Sequence, residues 1–293
     1  MKAMATKLHK TKKLLGLKTT KSVRPTRRKA ARLGQNFLMH SRIAERIVDV
    51  SKIVSDSVVL EIGPGTGMLT RQLLKRASKV IAIEADRDLY EKLCIDFENE
   101  ITSGRLELIH GDIRSYPLST TTVYDRGYEV VANIPYYLTG EIFRMFLESK
   151  NQPSSMTLLV QKEVAERVAR SKKESILSLS VKAYGTPKYE FTVPRGAFTP
   201  APNVDSSALT ISDISRKNFT SRAEEQRFFE LIHAGFAHKR KYVWSNLVEA
   251  RLIPAKTAKG GLLVAPFDGA FREKARAEDL SLSDWLALMH RLV

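Results

Sequence analysis

A single cysteine, Cys94, stands among 293 residues. One thiol forms no disulfide within the chain and no cysteine-based zinc site, so a reducing compartment is expected. No apolar run approaches the roughly 18 residues that a membrane helix needs, and no membrane partner is expected. No apolar stretch follows the charged N-terminus, so a secretory signal is not expected either. The six histidines fall at no ligand spacing, which argues against a bound metal. Acidic residues are missing altogether from residues 1–33.

Basic residues are abundant. Lys and Arg number 48 against 32 Asp and Glu, a net charge of +16. That excess points to a polyanion as partner. Residues 1–33 carry twelve basic side chains, Arg27 and Arg28 among them, so most of the surplus lies there. Such a segment reads as a flexible arm that holds phosphates. A mitochondrial presequence would also be basic and free of acid. Here Lys outnumbers Arg eight to four, which favours the cytoplasm.

After the arm the chain becomes ordered. Ser41 can cap a helix bearing Ile43, Ile47 and Val50. Val58–Ile62 reads as a buried strand, broken by Gly63-Pro64-Gly65-Thr66-Gly67. Further strands are expected at residues 80–83, 106–109, 130–132 and 156–160, with helices over 88–97 and 141–148 and around 164–168. This alternation predicts an α/β fold with a parallel, doubly wound sheet. Two more strands, 189–193 and 206–211, flank a proline-rich loop. Residues 213–222 read as a linker, and helices follow from Glu224 and from about Ser281. The expected division is an arm over 1–33, a sheet domain over 34–215 and a small helical domain over 216–293.

Ligands of such sheets bind at the carboxyl ends of the strands, where every motif in this chain falls. The glycine turn does not match a dinucleotide fingerprint, because the third glycine position is Met68. The spacing Glu-x-Gly-x-Gly-x-Gly suits S-adenosylmethionine. Glu84 ends the second strand, where a carboxylate accepts hydrogen bonds from ribose hydroxyls. Asp112 could take an adenine amine or merely cap a helix. Asn133-Ile134-Pro135-Tyr136 carries the most information. An exocyclic amine of a base is a poor nucleophile. The Asn133 side-chain oxygen and a backbone carbonyl, at Ile134 or Pro135, could hold its two N–H groups. Pro135 would fix that backbone, and Tyr136 would stack on the base.

Together these segments, with Gly34-Gln35-Asn36-Phe37-Leu38, Gln161-Lys162-Glu163 and residues 198–206, resemble the rRNA adenine N6,N6-dimethyltransferases. That family spans the KsgA/RsmA enzymes and the Erm resistance enzymes. The resemblance implies a Rossmann-like methyltransferase sheet and S-adenosylmethionine as cofactor. It implies that Asn36, Leu38, Gly63, Gly65, Glu84, Asp112 and Asn133 contact that cofactor. It implies that Phe198 clamps a flipped base opposite Tyr136. Arg276–Ser281, and Phe236–Lys241 with Ser245–Leu247, are similar to the KsgA-type C-terminal region. That similarity implies that Lys239, Arg240 and Lys241 face rRNA. The implied partner is small-subunit rRNA or a precursor 30S particle, methylated at two adjacent adenosines of the 3′-terminal hairpin by a monomer. The rivals are an Erm-type enzyme acting on 23S rRNA and a non-catalytic nucleic-acid-binding relative. Lys173–Ser178 departs from the family pattern.

Binding to small-subunit rRNA should weaken steeply with salt. Deleting residues 1–33 should flatten the slope of log Kd against log salt concentration, measured by filter binding. An unchanged slope would exclude phosphate contacts by the arm.

Overall fold

A computed structural model describes residues 35–117, 127–253 and 275–292. The basic arm, with Arg27 and Arg28, lies outside the described residues. In chain order the elements are β1 (Phe37–Leu38), α1 (Ser41–Val50), β2 (Val58–Ile62), α2 (Met68–Arg76), β3 (Lys79–Glu84) and α3 (Arg87–Asp96). Next come α4 (Glu98–Thr102), β4 (Leu106–His110), β5 (Glu129–Asn133), α5 (Thr139–Leu147), β6 (Ser155–Gln161), α6 (Lys162–Ala169) and α7 (Ile176–Tyr184). They are followed by β7 (Thr186–Val193), β8 (Phe198–Thr199), β9 (Ser206–Ser212), α8 (Arg222–Gly235), α9 (Val243–Glu249) and α10 (Leu282–Arg291).

Seven strands form one sheet in the order β4-β3-β2-β5-β6-β9-β7. The first five are parallel, as the alternation of strand and helix predicts. β9 runs antiparallel to both β6 and β7. The segment between β7 and β9 holds only a short 3-10 turn and β8, with no crossover helix to return the chain in parallel. β2 and β5 are neighbours, yet the chain departs from β2 towards β3 and β4. Strand order therefore reverses between β2 and β5, which opens a crevice at their carboxyl ends.

Side chains alternate across the sheet. Leu60, Ile81, Val130 and Leu158 face one layer, with α5, α6 and α7. Val59, Val80, Val131 and Leu159 face the other, with α1 and α2. Continuous apolar strands of this kind are what a sheet covered on both faces requires.

Two local expectations change, and one helix is added. Ser41 is the first residue of α1 and does not cap it; His40 stands at the cap and its carbonyl accepts from Ile43 and Ala44. Residues 176–184, assigned to no element above, form α7. Ser175 and Ser178 close a reciprocal capping box there, and Glu174 pairs with Lys182. Within 213–222, Ser221 caps α8, so that helix begins at Arg222, two residues early.

The expected boundary at residue 215 follows β9. Beyond it, α8, α9 and α10 join the same apolar cluster as the sheet, through Phe228, Leu231, Leu247 and Trp285. The tightest approach is at Gly235, where an added Cβ would come 2.3 Å from the fully buried Trp285 ring. Gly235→Ala should therefore destabilise the protein by about 1–3 kcal/mol, the usual cost of overpacking. The urea midpoint checks it, and an unchanged midpoint would mean that Trp285 gives way freely.

Candidate active site

The glycine turn leaves β2 and enters α2. Gly63, Gly65 and Gly67 all have positive φ, of 64°, 60° and 76°. Gly65 has a second constraint: a Cβ would lie 2.9 Å from the Phe37 ring. The turn is held from below by Glu84. One carboxylate oxygen accepts from Gly65 N–H at 2.9 Å, and the other from Asp86 N–H at 2.8 Å. Glu84 is buried, and burial raises its pKa despite these two bonds. Each of its oxygens retains a second lone pair for a further donor.

Glu61 lies beside it on β2 and is 1% exposed. Its Oε2 has no hydrogen-bond partner among the described residues. Burial pushes its carboxyl up to about 8; Thr70 offsets part of this and the Glu84 charge adds to it. A buried carboxyl with an unpaired oxygen is a place for a cationic ligand group.

Asn133 ends β5. Its Nδ2 donates to the Asn36 carbonyl at 2.9 Å. That bond fixes the carboxamide with Oδ1 as the remaining acceptor. Two backbone carbonyls compete for the second acceptor role. The Pro135 carbonyl accepts from Leu138 N–H at 3.0 Å, and no such bond is made to the Ile134 carbonyl among the described residues. Ile134 is thus the better candidate. Pro135 contributes a fixed φ of −59°. The Tyr136 hydroxyl bonds the fully buried Ser206 hydroxyl at 2.6 Å, which anchors the ring at its far end.

The chain brings Asn36, Leu38, Gly63, Gly65, Asn133, Pro135 and Tyr136 around one crevice, a cavity of about 60 Å³. Gln35–Leu38 forms one wall, held there because β1 pairs with β8. Glu84 underlies the turn and does not line this cavity.

Asp112 and Phe198 are engaged by other parts of the chain. Asp112 caps a 3-10 turn and accepts from Arg114 through both the backbone and the guanidinium, which lowers its pKa. An adenine amine would have to displace Arg114 from it. Phe198, expected as a base clamp, is 3% exposed and packs in the core with Leu38 and Val193. In this structure it anchors β8 opposite Leu38.

Lys239, Arg240 and Lys241 are exposed on the turn between α8 and α9, not on a helix. Lys241 pairs with Glu249 at 2.7 Å. Lys239 and Arg240 have no ion-pair partner among the described residues. A larger groove among the described residues, about 1,080 Å³, lies between α5, α7 and α8 and contains none of these residues.

A family model described as ribosomal RNA adenine dimethylase matches residues 26–286. The ribosomal RNA small subunit methyltransferase A of Dehalococcoides mccartyi is 38% identical over 257 residues, covering 87% of this chain and 86% of the relative. This chain belongs to the ribosomal RNA adenine dimethylase family. The small subunit methyltransferase A of Fusobacterium nucleatum is 36% identical over 261 residues, 87% of this chain and 94% of the relative. Two solved structures share the fold of this family member at 24% identity and a TM-score of 0.71. They are the 23S rRNA methyltransferase ErmE, which covers 88% of this chain and is itself covered over 99%, and a dimethyladenosine transferase from Plasmodium falciparum, for which the shares are 87% and 96%.

The motifs of this family member point to Asn133–Tyr136 and to the glycine turn, which lie around one crevice. They give no sign of the Asn36 carbonyl contact or the Ser206 bond to Tyr136, and only the spacing of Glu61 before Gly63 bears on its unpaired oxygen.

Glu61 has a measurable consequence. Between about pH 4.5 and 8 the folded protein holds a proton on Glu61 that the unfolded chain has released. Stability should therefore fall as pH rises across that window. Glu61→Gln keeps the neutral form and should reduce the slope, with a gain about 3–4 kcal/mol larger at pH 8 than at pH 5. Urea unfolding at the two values tests this. Equal differences at both would show that Glu61 is ionised in the fold.

Proposed function

We propose that this protein transfers methyl groups from S-adenosylmethionine to the N6 amines of two adjacent adenosines in the 3′-terminal hairpin of small-subunit rRNA. The observation that carries the reading is the Asn133–Asn36 bond, which leaves Asn133 Oδ1 as an acceptor in the crevice beside the glycine turn. The names of the relatives, small subunit methyltransferase A, support the choice of rRNA.

The residues fit the cofactor. Glu61 offers an unpaired buried carboxylate to an ammonium group, and its deprotonation follows when a cation arrives. Nothing lies within 4 Å of a Cβ built at Gly63, so the turn leaves space above it. Gly65, Asn36 and Leu38 wall that space. Glu84 has lone pairs left for ribose hydroxyls, and Asp112 is assigned to the adenine amine, which would replace Arg114 on it. S-adenosylmethionine supplies an electrophilic methyl carbon on a sulfonium.

The protein's own part is positioning. Asn133 Oδ1 and the Ile134 carbonyl each take one N–H of the target amine. Two bonds to acceptors draw the nitrogen lone pair out of ring conjugation and aim it at the methyl. Tyr136, anchored through Ser206, supports the base face. No strong base is needed, because the amine proton becomes acidic only as the new bond forms. One chain carries every group used, in keeping with a monomer. The exposed Lys239 and Arg240, with Arg27 and Arg28 of the arm, are assigned to rRNA phosphates in a precursor 30S particle. The cytoplasm suits a chain with the single cysteine Cys94.

Asn133→Ala should lower kcat by about 10²–10³ while the Kd for S-adenosylmethionine changes only a few-fold. Unmethylated small-subunit particles are the substrate, and nuclease digestion with mass analysis reads N6,N6-dimethyladenosine. Absence of that nucleoside with the unaltered protein would overturn the function. Full turnover by the variant would overturn the role of Asn133.

A further inference from the structure

Six large apolar side chains stand exposed among the described residues, and three of them lie within two positions of residues that line the crevice or support it. Met39 follows β1, whose residues line it. Val204 lies two positions before Ser206, which holds Tyr136. Tyr137 adjoins Tyr136 and is the most exposed of the six, at 65%.

Tyr137 is held out by a rigid turn. It occupies the middle of the 3-10 turn Tyr136–Leu138. Leu138 N–H donates to the Pro135 carbonyl at 3.0 Å, and the Thr139 hydroxyl donates to the Tyr136 carbonyl at 2.9 Å. The Leu138 side chain is buried. Successive side chains of such a turn diverge by about 120°, since three residues complete it. With Tyr136 tied inward to Ser206 and Leu138 buried, Tyr137 faces outward. It makes no ring stacking or hydrogen bond among the described residues, and Arg114 interacts with it electrostatically. An aromatic ring fixed in water beside a binding crevice is an unsatisfied surface.

The proposed chemistry supplies what would cover it. Flipping an adenosine into the crevice breaks its stacking on both neighbours. Each neighbouring base then exposes a face that had been covered. A tyrosine ring just outside the crevice restores that cover, and base–aromatic stacking tolerates any base.

We propose that Tyr137 is the stacking platform for the nucleobase next to the adenosine being methylated. This rests on the reading that the target adenosine enters the crevice at Asn133. The platform explains how one enzyme works on adjacent adenosines: while one is in the crevice, the other is kept unpaired and close. Tyr137 acts on the neighbour and has no part in activating the amine.

The test uses the full chain and reconstituted small-subunit particles. Tyr137→Ala should raise KM for the particle about tenfold or more, the ratio expected for one lost stack. Its kcat at saturation and its Kd for S-adenosylmethionine should stay near those of the unaltered protein. Tyr137→Phe keeps the ring and should behave as the unaltered protein does. Particles carrying 2-aminopurine on the 5′ or the 3′ side of a target adenosine report stacking directly. The unaltered protein should quench one of the two, and Tyr137→Ala should not. Unchanged KM, equal impairment of Tyr137→Phe, or quenching that survives in Tyr137→Ala would each overturn the platform. The crevice reading fails separately, if the unaltered protein forms no dimethyladenosine on these particles.

Discussion

The site depends on one hydrogen bond, from the Asn133 carboxamide to the Asn36 carbonyl. A carboxamide free to turn presents a donor or an acceptor with similar ease, and a donor aimed at an amine would repel it. The bond removes that choice. It spans 97 residues of sequence, so β1 must be in place before β5 ends in a usable acceptor. β1 is only two residues long, and pairing with β8 holds it there. Phe198 sits in that pairing, opposite Leu38 and buried. Its packing serves the acceptor at a distance, through the wall that Asn36 belongs to.

Beneath the crevice the electrostatics are deliberately unfavourable. Glu61 and Glu84 are both buried, and both have raised pKa values because burial disfavours their charge. Glu84 recovers part of the cost by accepting from Gly65 and Asp86. Glu61 recovers less, since one oxygen is unpaired among the described residues. Burial of an unpaired carboxyl is destabilising on its own and becomes tolerable when a cation arrives. The same physics makes a positively charged group a better neighbour for Glu61 than a neutral one.

Much of this could be read in the chain itself. Apolar runs at strand length, each closing on a glycine or a polar residue (Gly63, Glu84, Gly111, Asn133, Gln161), mark the parallel half of the sheet. The glycine turn and Asn133–Tyr136 mark the crevice. What stayed hidden is of two kinds. Long-range pairings such as Asn36 with Asn133 and Tyr136 with Ser206 leave no local pattern, because sequence distance says nothing about which backbone carbonyl a side chain meets. Local competition is the other kind. Residues 176–184 carry a strand-like alternation that a serine capping box overrides, and Asp112 carries an acceptor that Arg114 already occupies. In both, a short-range hydrogen bond decides the outcome and hydropathy does not register it.

The antiparallel end of the sheet has a part in this that a fully parallel sheet would lack. Because β9 runs opposite to β6, Ser206 at its start lies beside Gln161 at the end of β6. That places the beginning of one strand at the carboxyl ends of the others. Ser206 can then hold Tyr136 from a position that no parallel strand's first residue could reach. The loop before it, which carries Val204, is delivered to the same rim. Reversal of a single strand thus supplies the support for the aromatic ring, while the switch between β2 and β5 supplies the crevice the ring faces.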